Sequence, residues 1–108
     1  MMDHSHIAEL QQAIHRLHGA EARYLKSVAV REEHAGRVVW DGVVEVFELI
    51  GHPQANIAYA WSHATDDPAH PKRHVAVLHV PPVTSPETAV RVAIIQEFRN
   101  AFSGQAEA

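Results

Sequence analysis

The stretch from Val38 to Trp61, VVWDGVVEVFELIGHPQANIAYAW, is the densest run of apolar and β-branched residues in the chain and constrains the fold most. Gly51 and Pro53 interrupt it with residues that are typical of turns. Two strands that flank such a turn are expected to fold back on each other as an antiparallel hairpin. We therefore predict that this hairpin forms the centre of an antiparallel sheet.

Placing Ile50 opposite Ala55 sets the register of the predicted hairpin and puts Val46 opposite Tyr59. Because side chains alternate along a strand, one face of the hairpin is large and aromatic and the other is small. The aromatic face comprises Trp40, Val44, Val46, Ile57, Tyr59 and Trp61. The other face carries Val43, Phe47, Ala58 and Ala60. The alanines leave room for a helix axis, so we expect the helices to cover this second face.

The dipeptide Asp41-Gly42 is also typical of a hairpin turn. A turn at this point would leave only the four residues Arg37 to Trp40 between it and the turn expected near Gly36. We therefore favour one long strand with a bulge at Gly42, and a turn at Asp41-Gly42 is the alternative.

The residues before this stretch predict a helix and a strand. Apolar residues at spacings of three and four indicate a helix that is capped by Asp3 or Ser5 and ends at Gly19. From Arg23 to Glu33 the period changes to two, which is typical of a strand. The loop His34-Ala35-Gly36 then predicts a three-residue hairpin connection to the central stretch.

The residues after it predict a strand and a second helix. Arg73 to Val80 is a further strand. Ser85-Pro86-Glu87 combines a cap residue, proline at the first helical position and an acid in the first turn, so a helix should begin there. This helix is expected to run to about Phe102.

The predicted fold class is α+β, with the order α-β-β-β-β-α. A chain of 108 residues fits a single domain, with residues 1–4 and 104–108 as frayed termini. The four strands should form an antiparallel meander, and both helices are predicted to pack on one face of the sheet.

In the order of its elements alone, the chain resembles double-stranded RNA-binding domains. Those domains are similar to one another in a lysine-rich start to the last helix, where this chain has Ser85-Pro86-Glu87. An acid at that position repels phosphate, and the formal charge of −4 argues against nucleic acid or an anionic membrane as a partner. We therefore expect neither partner.

The first residues, MMDHSHIAEL, lack the basic and apolar regions of a signal peptide, and no apolar run reaches about 18 residues. The chain has no cysteine, which excludes disulfides and thiolate metal sites. We expect a cytoplasmic protein.

The chain is rich in histidine, with ten residues. The loop of residues 63–74 holds five potential nitrogen and oxygen ligands for zinc, nickel or manganese. They are His63, Asp66, Asp67, His70 and His74. Their spacing matches no zinc signature, and solvated loops commonly contain such residues. We expect no cofactor, with a transition-metal site in this loop as the alternative.

Catalytic motifs are not evident in the sequence. It has no Gly-x-Ser-x-Gly run, and its five glycines are isolated. Glu45 and Glu48 differ in strand parity, so they should lie on different faces as solvated carboxylates rather than form an acid and base pair. We therefore expect a protein that is not an enzyme.

Two interpretations of the aromatic face stay open. If both helices cover the other face, Trp40, Val44, Val46, Tyr59 and Trp61 are exposed and form an interface. If the assignment of faces is reversed, they are core residues beneath the helices. The leading hypothesis is a non-enzymatic interaction or regulatory domain that forms a homo-oligomer or binds a protein partner through its sheet. A small-molecule groove on the aromatic face is a further alternative.

Overall fold

The computed structural model describes residues 4–65, 67–69 and 71–107, and the side chains of residues 6–65, 67–69 and 71–96. The described residues form α1 (His4–His18), β1 (Glu21–His34), β2 (Arg37–Ile50), β3 (Ile57–Ala64), β4 (Lys72–Leu78) and α2 (Pro86–Glu107). The strands make one antiparallel sheet in the order β1-β2-β3-β4, so the predicted α+β class and meander are confirmed. Within these residues, neither helix is long and apolar enough to span a membrane.

α1 ends where the sequence predicted. Gly19 has a φ of 68°, and its N–H donates to the carbonyl oxygen of His15 at 2.9 Å. A left-handed residue of this kind satisfies the last carbonyls of a helix, which is why glycine is favoured there. The proposed caps, Asp3 and Ser5, lie outside the described side chains.

α2 begins at Pro86, as the sequence also predicted. The hydroxyl of Ser85 accepts the N–H of Thr88 at 3.2 Å and caps the first turn. The helix extends to Glu107, beyond the expected end at about Phe102.

The hairpin of β2 and β3 has the predicted register, with Val46 opposite Tyr59. Gly51 takes a φ of 83° at the start of the connection. The Nδ1 atom of His52 then accepts the N–H groups two and three residues later, at 3.1 Å each. These bonds hold the turn closed from within.

The hairpin of β1 and β2 has a shorter turn than predicted. His34 pairs with Arg37, so the connection is the two residues Ala35 and Gly36 rather than a three-residue loop. Their φ angles are 52° and 77°. Two positive φ angles in succession match the twist of the flanking strands, and this requirement explains the shorter turn.

β2 is one long strand, as favoured, so a turn at Asp41-Gly42 is wrong. The bulge predicted at Gly42 is also wrong, because Gly42 pairs in register with Val30. The ladder shifts instead at Leu25 of β1 and near Val39 of β2. Gly42 has another role: a Cβ atom there would lie 3.1 Å from Cη2 of Trp40, whose ring covers the glycine.

The helices lie on opposite faces of the sheet, which corrects the prediction that both pack on one face. α1 packs Leu10 and Ile14 against the face that contains Phe47, which we name the α1 face. α2 packs Val90 against the face that contains Val46, the α2 face. Both parities of β3 are apolar from Ile57 to Ala60, and β2 adds Val46 to one face and Phe47 to the other, so each face needs a helix to cover it.

Two separate cores result. On the α1 face the buried strand and connecting residues are Ala20, Ala22, Phe47, Leu49, Ala55, Ala58 and Ala60. The buried residues on the α2 face are Val30, Val44, Val46, Tyr59, Trp61, Val83, Ala89 and Val90.

Candidate functional site

The residues predicted as an exposed aromatic face lie beneath α2. Tyr59 and Trp61 are 4% and 3% exposed, Val44 and Val46 are buried with them, and Trp40 is half-buried. The expectation that this face is open to solvent is therefore wrong. The alternative, in which they are core residues beneath a helix, describes their placement, with α2 alone as the covering helix.

A cavity of about 150 Å³, partly open to solvent, lies at the margin of this core. The ladder between β2 and β3 ends at Glu45 and Ala60, while β2 continues along β1 and β3 continues along β4. Trp40 and Trp61 meet beyond this point, with ring centroids 5.6 Å apart and planes at 70°. The cavity is lined by Trp40, Trp61, His63, Val90, Ala93 and Ile94.

The predicted metal ligands are not brought together among the described residues. His63 lies opposite Arg73 in the ladder and His74 opposite Ser62, so the two histidines point to opposite faces of the sheet. Asp67 accepts the N–H of the residue two positions later at 2.9 Å, which closes its own loop. No group of three potential ligands occurs in the described part of the chain. Asp66 and His70 lie outside it.

His74 instead joins β4 to α1. Its Nε2 atom lies 3.5 Å from Oε2 of Glu9, and Nζ of Lys72 lies 3.8 Å from the same oxygen. The contact places one carboxylate between two basic side chains. It is a link between elements rather than a cluster of ligands.

The outer edge of β1 is open. Among the described residues no strand pairs with it, since β1 is the first strand of the sheet. Its regular segment runs from Lys26 to Glu32, between the ladder shift at Leu25 and the shift that follows Glu32. Opposite charges therefore stand at the two ends of the segment, and Ala29 stands at its midpoint.

Glu32 is held on the α2 face. Its carboxylate accepts hydrogen bonds from the guanidinium of Arg91 on α2, and only 12% of its side chain is exposed. The hydrogen bond to Glu32 raises the pKa of the Arg91 guanidinium, so Arg91 stays positively charged. The contact fixes the position of a negative charge beside the open edge.

The outer half of the β1–β2 hairpin is uncovered on the α1 face. Val43 is 49% exposed, and Ala29, opposite Val43 in the ladder, is exposed too. Next to them Glu45 is buried, which differs from the solvated state expected for it. Ser27 donates to Glu45 at 2.5 Å and lies 2.6 Å from the hydroxyl of Tyr24.

Sequence reasoning missed the open edge of β1, whose regular segment is set by the ladder shifts at Leu25 and Val39; these shifts alter the parity of a strand without leaving a glycine or proline as a signal. The cavity lies on the aromatic face, where a small-molecule groove was the further alternative. One signal was available for the cavity wall. Trp40 precedes Gly42 by two residues on the same face of a strand, a spacing at which an aromatic ring covers a glycine.

Comparison of the chain with protein-family models, curated proteins and solved structures finds no match.

Proposed function

We propose that the protein is a non-enzymatic interaction domain that pairs with a second copy of itself through the outer edge of β1. One observation carries this proposal: the outer edge of the regular segment Lys26 to Glu32 has no partner strand among the described residues, and the charges of the segment are complementary to those of its own reversed copy. An open strand edge of this length is a template for pairing with another chain.

Antiparallel pairing of two identical strands requires a two-fold axis perpendicular to the sheet. With the axis at Ala29, Lys26 of each copy lies opposite Glu32 of the other. Val28 then lies opposite Val30 of the other copy, on the same face. Moving the axis to Val28 or Val30 removes both pairs of opposite charges, so the charge pattern selects the axis at Ala29.

The same arrangement buries part of the uncovered hairpin. A perpendicular axis keeps the α1 faces of both copies on one side of the joined sheet. Ala29 then meets its own counterpart, with Val43 of each copy in the next strand. The exposed small apolar residues become one continuous strip across four strands, which favours association over a single exposed patch.

Sedimentation equilibrium from about 1 to about 200 µM tests the pairing, because the dimer fraction must rise with protomer concentration. Lys26→Glu replaces two attractive charge pairs by two repulsive ones. We expect it to weaken the dimer about tenfold, since each cross-strand pair is worth a few tenths of a kcal/mol to about 1 kcal/mol.

Arg37→Glu is the matched control, because it makes the same charge change on the same hairpin outside the paired segment. It should leave the dimer constant nearly unchanged. A chain that stays monomeric over the whole range would overturn the proposal. An equal loss in both variants would show that net charge, not the Lys26 pairing, controls association.

Hydrogen exchange locates the interface independently. Amides of β1 that point away from β2 should be protected at high protein concentration and exchange at low concentration. Protection that instead appears along β4 would assign self-association to the other edge of the sheet and reject the proposed one.

A further inference from the structure

We infer that the cavity between Trp40, Trp61 and α2 is a binding site for a small, neutral, planar aromatic molecule. This site lies on the α2 face and is separate from the β1 edge. Ligand binding can therefore be tested independently of the proposed self-association.

The cavity has a structural cause that keeps it open. β2 and β3 stop pairing after Glu45 and Ala60, and the gap beyond is bridged by the two indole rings rather than by backbone hydrogen bonds. The ring of Trp40 rests on Gly42, where a Cβ atom would come within 3.1 Å of it. Rigid rings in edge-to-face contact cannot deform to fill the space as flexible aliphatic side chains can.

The opposite wall of the cavity is formed by α2, whose side chain at the centre of the wall is short. Ala93 contributes a single methyl group between Val90 and Ile94. The cavity of about 150 Å³ is partly open to solvent, so a small molecule can enter it without unfolding of the core.

The lining selects the ligand class. None of the six lining residues is acidic, lysine or arginine, and the imidazole of His63 is the one ionisable group among them, so an ion would be desolvated without a permanent counter-charge. Apolar cavities of about 150 Å³ accommodate benzene. Two flat indole walls favour an aromatic ring over a saturated one, through edge-to-face contacts. We therefore assign a ligand of about six to ten non-hydrogen atoms.

Access is from the side of Trp40, which is half-buried where Trp61 is fully buried. The chain contains two tryptophans, and both line the cavity. Tryptophan emission is therefore a direct measure of occupancy.

The experiment titrates the protein with phenol and, as a saturated compound of the same size, with cyclohexanol. Phenol should change tryptophan emission in a saturable manner, with a dissociation constant on the order of 1 mM or below. It should also raise Tm, because a ligand that binds the folded state alone stabilises it. Cyclohexanol should bind at least several-fold more weakly, and equal effects of the two compounds would overturn the assignment of an aromatic ligand.

Ala93→Leu fills the cavity and should abolish the phenol-dependent change in emission and Tm. Ala8→Leu makes the same change at an exposed position of α1 and should preserve both. If Ala93→Leu does not fold, Ala93→Val is the smaller test and should weaken phenol at least several-fold. Phenol binding that survives in a folded Ala93 variant, or that is absent from the unaltered chain, would overturn the site.

Discussion

The two faces of the sheet differ in whether the helix or the strand β3 contributes the large side chains to the core. On the α1 face, the large residues Leu10 and Ile14 come from the helix and meet alanines of β3. On the α2 face, β3 supplies the large residues Tyr59 and Trp61, and the helix meets them with smaller side chains such as Ala89, Val90 and Ala93. The strand sequence Ala-Tyr-Ala-Trp from position 58 therefore dictates, by alternation alone, which kind of helix each face can accept.

The difference shows that side-chain shape, and not only apolar area, decides how completely a face is filled. Aliphatic side chains from a helix interlock with an alanine-rich strand, because their rotamers can adapt to the available space. Indole rings are rigid, and on the α2 face they leave a cavity beside Ala93. A single four-stranded sheet thus has a fully packed core on one face and a core with space for a small ligand on the other.

The strongest test of this contrast is the substitution of isoleucine by alanine on each helix. Ile14 is fully buried on the α1 face, so Ile14→Ala should lower the free energy of unfolding by about 2 to 5 kcal/mol. Ile94 is only partly buried and already borders a cavity, so Ile94→Ala should cost about half as much. Urea unfolding measures the loss in free energy for each variant, provided that the m-values are unchanged.

Equal costs at the two positions would contradict this contrast, since they would mean that the α2 face is as tightly packed in solution as the α1 face. The Tm of each variant should follow the same order.

The second prediction concerns the stability contributed by a buried polar group on the α1 face. Glu45 is buried on the α1 face and accepts a hydrogen bond from Ser27 at 2.5 Å. Ser27→Ala removes this donor from a buried carboxylate and should cost about 1.5 to 3 kcal/mol. Tyr24→Phe removes only the exposed outer bond to Ser27, so thermal unfolding should show a smaller loss. A larger loss for Tyr24→Phe would mean that ring packing dominates this cluster.

Local signals in the sequence predicted the elements and their order. Gly19 and Ser85 each act within one turn of a helix, and the register of Val46 with Tyr59 follows from the length of one connection. Such features depend on neighbours in the chain, so a single sequence is sufficient to predict them.

The placement of the helices could not be predicted in the same way. Val46 and Phe47 are adjacent and both apolar, so the pattern does not say which face a given helix covers. That choice depends on how Leu10 and Val90 fit surfaces formed by three strands at once. The same limit applies to the candidate metal loop: His63 and His74 are close in sequence, but strand parity separates their side chains.

A third prediction concerns the α2 face, where a partly buried polar contact is made by the side chain of Tyr59. The Tyr59 hydroxyl lies 2.6 Å from Nδ1 of His79 and ties the sheet to the chain that leads into α2. Tyr59→Phe should lower the free energy of unfolding by about 1 kcal/mol at neutral pH.

The same group gives a pH dependence. Burial, and then the negative charge of Glu87, raise the pKa of Tyr59 above its usual value. A raised pKa in the folded state contributes stability that is complete below the unfolded pKa of about 10 and is lost as pH rises through the folded pKa. Stability should therefore fall above about pH 10 in the unaltered chain and fall less in Tyr59→Phe. Parallel urea titrations at neutral and alkaline pH measure this, and identical pH profiles would exclude Tyr59 as the cause.

The smallest effect lies at the turn of the β1–β2 hairpin, beyond both cores. Ala35 has a φ of 52°, where a Cβ atom is unfavourable, and its side chain is exposed. Ala35→Gly should stabilise the protein by about 0.5 to 1 kcal/mol, and Ala35→Asn should do likewise, because both residues suit two consecutive positive φ angles. Ala64→Gly, at an exposed strand position, should instead destabilise by about 0.5 to 1 kcal/mol. Because the turn contacts neither core, the difference between Ile14→Ala and Ile94→Ala should be the same in the Ala35→Gly background, and a changed difference would show that the hairpin turn and the two faces are coupled.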